Sequence, residues 1–298
     1  MPHNHNRSGS GTHRVFGIAV ALNVVFVAVE AGFGVAADSL ALIADAGHNL
    51  SDVLSLLLAW GAGVLATRGA TEKRTYGFRK LTILASLANA IVLLIALGGI
   101  AREAVGRLFN PRPVDAGIVV VVAAAGVVIN TLTALLFLSG RKTDMNIKGV
   151  FLHMTVDAAV SLGVVVSGIL IGVTGWLAID PAISLAVVLV ILLGTWSFLR
   201  DSMNLAIDSV PHAVDMAGIK AYLTGLENVC RMHDLHVWAM STTEIALSVH
   251  LVLRNDLQDG NFLAKLQRQL RDRFNIDHAT IQIEGPDESC LLDKDGCI

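Results

Sequence analysis

Two short stretches of this 298-residue chain place a histidine four residues before an aspartate inside otherwise apolar runs. One is His48 and Asp52 in HisAsnLeuSerAsp, the other His153 and Asp157 in HisMetThrValAsp. On a helix, residues i and i+4 project from one face about one turn apart. Two such faces brought together offer two imidazoles and two carboxylates, a four-donor set suited to zinc, which accepts nitrogen and oxygen ligands in a tetrahedron. Magnesium prefers an octahedral, oxygen-rich and partly hydrated shell, so two imidazoles count against it. A single His-x-x-x-Asp reads equally well as a hydrogen bond between packed helices, since buried polar groups find partners. Two copies at hydrocarbon depth, where ionisable groups are costly, point to function.

The elements that must carry these pairs are membrane spans. The chain is 54% hydrophobic and 16% charged, with a mean hydropathy of +0.63, whereas soluble domains carry about a quarter charged residues. A spanning helix needs about 20 mostly apolar residues. Six stretches qualify: 15–35, 40–66, 81–108, 116–138, 150–174 and 179–199. They are built from Ala, Val, Leu, Ile and Gly, with small residues available for close packing. Lys and Arg set the orientation. Arg68, Lys73, Arg74, Arg79 and Lys80 lie between spans two and three, and Arg141, Lys142 and Lys148 between four and five. Arg7 and Arg14 precede span one, while on the other side only the 3–4 turn is basic, with Arg107 and Arg112. Both chain ends are therefore expected in the cytoplasm. A net charge of −3 gives no basic excess that would suggest nucleic acid. The His-rich N-terminus is too polar for a cleavable signal, and Cys230, Cys290 and Cys297 read as cytosolic thiols or metal ligands rather than a disulfide frame.

Other polar residues fall within the spans. Asn23 and Glu30, on one face of the first, and Asn130 in the fourth either line a cation path or bond to a neighbouring helix. Asp45, one turn before His48, either attracts cations at the site entrance or holds the His48 ring from behind. Asp38 is expected at the outer end of its helix. No G-x-x-x-x-G-K-[ST] phosphate loop occurs, which leaves an ion gradient as the energy source. Because two His and two Asp must lose protons to bind a metal, protons and metal compete for the same atoms, a physical basis for exchange.

After about Asp201 the chain turns polar. The pattern predicts a helix over 213–226, strands over 230–240 and 244–253, a helix over 262–274 and a strand over 279–284. Such an order makes a small α+β domain with one antiparallel pair and helices on one face of the sheet. His236, before ValTrp, is expected to be buried beside Trp238, and His278 is left out of the metal candidates.

The stretches AspSerLeuAlaLeuIleAlaAspAlaGlyHisAsnLeuSerAsp from Asp38, TyrGlyPheArgLys from Tyr76, HisMetThrValAsp from His153 and HisAspLeuHisValTrp from His233 run across almost the whole chain. In these the sequence resembles the cation diffusion facilitators, in the branch of bacterial zinc, cadmium and cobalt exporters related to the vertebrate zinc transporters. The resemblance implies a homodimer that works by alternating access with proton antiport, with His48, Asp52, His153 and Asp157 as the transport site. It further implies that a His at the first of these positions favours zinc over cadmium. By the same resemblance His233 and His250 bind zinc in the cytoplasmic domain. Glu284, Cys290, Cys297, His3 and His5 look similar to the residues that complete that site in the vertebrate proteins, although Cys290 and Cys297 are separated by six residues rather than the usual two. Arg79 and Thr82 replace a His and an acid that many relatives carry, and the 4–5 connection has no His, so metal capture would fall to His3, His5 and His13.

The expectation is therefore an α-helical membrane protein of six transmembrane helices followed by a small cytoplasmic α+β domain, ferredoxin-like or metallochaperone-like. Its parts are a cytoplasmic His-containing segment at 1–14, the membrane domain at 15–201 and a regulatory and dimerisation domain at 202–298. The expected function is proton-coupled export of Zn2+ or a similar divalent cation from a bacterial cytoplasm across the inner membrane. The expected partners are a second copy, the lipid bilayer, metal ions and protons, with no nucleic acid. A passive divalent-cation channel or a membrane metal sensor is the alternative. An enzyme is not expected: no HisGluXxxXxxHis occurs, and a four-ligand site leaves no place for an activated water.

Overall fold

The computed structural model describes residues 24–66, 69–138, 145–254 and 261–286. The first described helix is α1, a short apolar helix at Val24–Ala36. The chain continues through α2 (Leu40–Ala66), α3 (Leu81–Phe109), α4 (Ala116–Phe137), α5 (Met145–Thr174) and α6 (Ile179–Ala206). It ends in α7 (Met216–Thr224), β1 (Val229–Ala239), β2 (Ile245–Leu253), α8 (Phe262–Phe274) and β3 (His278–Glu284). Among the described residues four helices are long and apolar enough to cross a bilayer: Leu81–Phe109, Ala116–Leu135, His153–Thr174 and Ile179–Ala206. Side chains such as Ile95, Val121, Val173 and Leu193 stand more than two-thirds exposed on them, which only a hydrocarbon solvent tolerates in such numbers. The chain divides into two compact units, Met1–Leu57 with Asn89–Ser197, and Leu58–Ala88 with Phe198–Ile298.

The first unit packs Ala41, Leu42 and Ala44 of α2 with Leu93 and Leu97 of α3, Val119, Val122 and Ala123 of α4, Val164 of α5 and Val187, Val188 and Ile191 of α6. Glycine lets these helices approach. A Cβ on Gly168 of α5 would lie 2.7 Å from Val120 Cγ2, and one on Gly126 of α4 would lie 2.8 Å from Phe26 Cζ, both too close to tolerate without displacement. The start of α2 is fixed from two sides. Asp180 of α6 accepts from Ser39 Oγ (2.6 Å) and from the backbone N–H groups of Leu40 (2.9 Å) and Ala41 (3.5 Å). These are donors that a helix N-terminus otherwise leaves without partners. Asp38, in the left-handed region at φ 52°, gives its carbonyl and carboxylate to Arg107 of α3, each at 2.6 Å.

In the second unit β1 pairs antiparallel with β2 and β2 pairs parallel with β3. Leu247, Val249, Leu251 and Leu253 point to one face and form a core with Ile219 and Leu223 of α7 and Leu266 and Leu270 of α8, as period-two alternation requires. The opposite face of β2 carries Ala246, Ser248, His250 and Val252. Within the same unit Thr242 donates its backbone N–H to Thr82 Oγ1 (3.0 Å), Arg79 pairs with Glu244 (3.3 Å) and Lys80 with Asp208 (2.6 Å).

Candidate metal centres

The i, i+4 spacing does on α2 and α5 what the sequence implies, and the two helices meet in antiparallel register. Asp45 faces Ser161, His48 faces Asp157 and Asp52 faces His153, three successive rungs between two helices running in opposite directions. The central rungs interlock. His48 Nε2 lies 3.3 Å from Asp157 Oδ1 and 3.7 Å from Asp52 Oδ2, and His153 Nε2 lies 3.1 Å from Asp52 Oδ2 and 3.5 Å from Asp157 Oδ2. One donor atom from each of the four residues falls within 4.8 Å of the others. Zinc ligands at about 2.0–2.2 Å in a tetrahedron stand roughly 3.4 Å from one another, the middle of the observed range. Asp157 is 1% exposed while His153 is 42% exposed, so the cluster opens on the His153 side.

Behind it lies a second layer of buried polar groups. Glu30 of α1 is fully buried and accepts from Asn49 Nδ2 at 3.0 Å. Asp45 is fully buried too, and its carboxylate accepts from Ser161 Oγ at 2.8 Å. Among the described residues His48 Nδ1 has no hydrogen-bond partner, so Asp45 fastens α2 to α5 and does not hold the imidazole ring; nor does its burial leave it exposed at an entrance. Asn130 of α4 is buried, and neither amide atom has a hydrogen-bond partner among the described residues. Asn23 lies outside the described residues.

A second cluster sits on the helix-free face of the sheet. His233 and His250 are register partners on β1 and β2, and Glu284 closes β3 opposite Val252. His233 Nε2 lies 2.9 Å from one Glu284 oxygen and His250 Nδ1 2.8 Å from the other, with the two rings edge to face at 4.9 Å. All three residues are less than a tenth exposed. Gln282 donates to the same carboxylate at 3.0 Å. His3, His5, His13, Cys290 and Cys297 lie outside the described residues.

The expectation for His236 is overturned as well. His236 is exposed, bonded to Asp234 at 3.0 Å, and not buried beside Trp238. The cause is a β-bulge: three steps on β1 from His233 to His236 match two on β2 from His250 to Ser248, with Asp234 at φ 51°. Unbroken alternation would put His236 on the opposite face from His233; the extra residue returns it to the same, helix-free face. The bulge also brings Asp234 Oδ2 to 3.8 Å from His250 Nε2. Sequence reasoning missed this acid, and its signal, an Asp able to take the left-handed conformation inside a strand, was present.

Residues 17–205 match the family model described as the cation efflux transmembrane domain, and residues 211–286 the one described as the cation efflux protein cytoplasmic domain. The metal cation efflux system protein CzcD of Cupriavidus metallidurans is 37% identical over 285 residues, which cover 95% of this chain and 89% of that one. The cadmium, cobalt and zinc/H(+)-K(+) antiporter of Bacillus velezensis is 33% identical over 95% of this chain and 92% of its own. The zinc transporter ZitB of Escherichia coli is 33% identical over 99% and 97%. Two domain matches that together span most of the sequence, carried by relatives that are transporters along nearly their whole length, place the chain in the cation efflux family of integral membrane proteins.

Proposed function

We propose that the protein exports zinc, or a similar divalent cation, from the cytoplasm in exchange for protons, by alternating access through His48, Asp52, His153 and Asp157. The observation that carries this reading is the crossed pairing of two His/Asp faces with donor separations that suit a tetrahedral ion. Two imidazoles and two carboxylates from helices joined across the cluster by side chains, each with its backbone hydrogen bonds inside itself, form a site that a tilt of α5 against α2 takes apart. The same atoms hold either protons or metal, so a proton gradient drives release on the acidic side. Two of the relatives, a zinc transporter and a cadmium, cobalt and zinc/H(+)-K(+) antiporter, agree with this cargo and this counter-ion. Six spans, cytoplasmic chain ends, a bacterial inner membrane and a homodimer complete the proposal, on the charge of the connections and the resemblance set out above. The domain limits we infer are 1–14, 15–201 and 202–298.

We infer further that His233, His250 and Glu284 hold a resident zinc ion that regulates the transporter. The donor set fits: two imidazoles and a carboxylate, buried and converging, with His233 Nδ1 left without a partner among the described residues. Three donors leave a tetrahedral position for another ligand, and Cys290, Cys297, His3 and His5 are the candidates. When bound, zinc would cross-link three strands through their side chains. The chain's own part is to hold the two rings in strand register and to keep Glu284 oriented through Gln282.

The test is zinc uptake into proteoliposomes under an imposed pH gradient, for wild type and Asp157→Ala together. Accumulation of zinc against its own gradient, with a matching pH change in the lumen and neither in the variant, is the expected result. Zinc that only equilibrates would favour a passive channel, and equal behaviour of the two proteins would remove the site assignment.

A further inference from the structure

The connection between α2 and α3 forms one wall of a cleft of about 300 Å³, with the end of β1 as the other. Lys73, Arg74 and Lys80 line it together with Tyr76, Trp238 and Met240, all within the second unit. Three cations therefore converge on a concave surface floored by an indole and a thioether. Asp208 takes up Lys80 at 2.6 Å, but Lys73 and Arg74 have no carboxylate within ion-pair distance among the described residues. The wall is held in shape without an anion. Arg74 stacks on the Phe78 ring at 4.6 Å, Tyr76 stands edge to face on His278 at 5.7 Å, and Gly77 turns the chain at φ 67°. A guanidinium fixed on an aromatic face beside a lysine ammonium is the geometry that recognises phosphate oxygens.

Chain continuity indicates where that phosphate comes from. Lys80 abuts Leu81, the first residue of a 29-residue apolar helix. The cleft thus lies at the level where a span leaves the bilayer, with Tyr and Trp placed as interfacial aromatics are. Basic clusters immediately outside a span attract anionic headgroups, and the Trp238 and Met240 floor suits the apolar glycerol ester beneath a headgroup better than it suits water. We propose that this cleft binds a phosphate-bearing anion and that its occupant is the headgroup of an anionic phospholipid in the leaflet where α3 begins.

The experiment uses the full chain, purified and placed in nanodiscs of equal parts phosphatidylcholine and phosphatidylglycerol, and reads by native mass spectrometry which lipid stays bound. Neither side chain tested is a proposed metal ligand, and the readout does not depend on transport. Wild type should retain phosphatidylglycerol over phosphatidylcholine. Lys73→Gln with Arg74→Gln should lower that preference on the order of tenfold, the loss of two charges at a membrane surface. Arg74→Lys, which keeps the charge, should retain most of the preference. Arg268→Gln with Arg271→Gln, which removes the same charge from the exposed face of α8, should leave it intact. Equal preference in all variants, or an equal loss in the α8 variant, would overturn the site. Displacement of the lipid by millimolar inorganic phosphate would overturn the lipid as occupant and assign the cleft to a soluble phosphate.

Discussion

The two clusters use nearly the same donors and are built in opposite ways. His48, Asp52, His153 and Asp157 hang from two helices joined across the cluster only by side chains, and one of the four is 42% exposed. His233, His250 and Glu284 stand on three adjacent strands joined by backbone ladders, Glu284 at the last rung of β3, and none is more than a tenth exposed. A helix pair can tilt or slide while every backbone hydrogen bond stays inside its own helix. A strand pair cannot separate without losing its ladder. The first arrangement therefore suits a site that must open to alternate sides, and the second a site that keeps its ion. The difference lies in the scaffold more than in the ligands.

The largest effect should come from the membrane cluster. Asp157 is its most buried member and lies close to both histidines. Asp157→Ala should lower zinc flux at least about a hundredfold, since loss of an outer-shell partner alone costs ten- to a hundredfold in affinity. The proposed dimer should persist on size-exclusion chromatography. Normal flux would show that the open cluster is not the path and would dissolve the contrast.

The two clusters should also part in their response to acid. On the proposed path the imidazoles and carboxylates must release protons before metal binds, so flux should fall as pH drops on the side from which zinc enters. A flux that rises on acidifying the entry side would contradict competition at shared atoms. Glu284→Gln makes the complementary break. It removes the one carboxylate that reaches both rings and should lower the bound zinc by one ion per protomer in equilibrium dialysis, while flux changes only a few-fold. Loss of flux as complete as in Asp157→Ala would mean that the sheet cluster belongs to the transport path.

Much of this was readable in the chain, for identifiable reasons. The limits expected for α2, 40–66, and α8, 262–274, agree with the structure, because long apolar runs and an amphipathic period end at polar or glycine-rich connections. The His/Asp faces were legible because i, i+4 spacing fixes the geometry within one helix. What α2 meets was not legible: the Ser161 rung to Asp45 and the Asn49 bond to Glu30 depend on helix packing, which spacing does not report. The capping of α2 by Asp180, 140 residues away from Leu40, is beyond local pattern for the same reason. On the sheet, alternation located His233 and His250 but misplaced His236, since one residue in the left-handed conformation reverses every face assignment after it.

The smallest expected effect probes the rung that ties the two helices just beyond the metal ligands. Ser161→Ala deletes the hydroxyl that donates to Asp45. The Asp45 side chain is fully buried, so the variant leaves a buried carboxyl without this donor. That should cost about 1–3 kcal/mol, seen as a lower Tm in detergent, with flux reduced less than in Asp157→Ala. Ser161→Thr, which restores the hydroxyl, should recover most of both. Zinc bound at the sheet cluster should not change, because His233, His250 and Glu284 are placed by strand register and not by α5. If Ser161→Ala leaves Tm and flux untouched, α2 and α5 are held at this depth by something other than their facing polar groups. Their freedom to separate would then rest on the apolar core that Ala41, Leu42 and Ala44 of α2 share with Val164 of α5, and substitutions there, not in the polar rungs, would be the ones to change the rate at which the site opens.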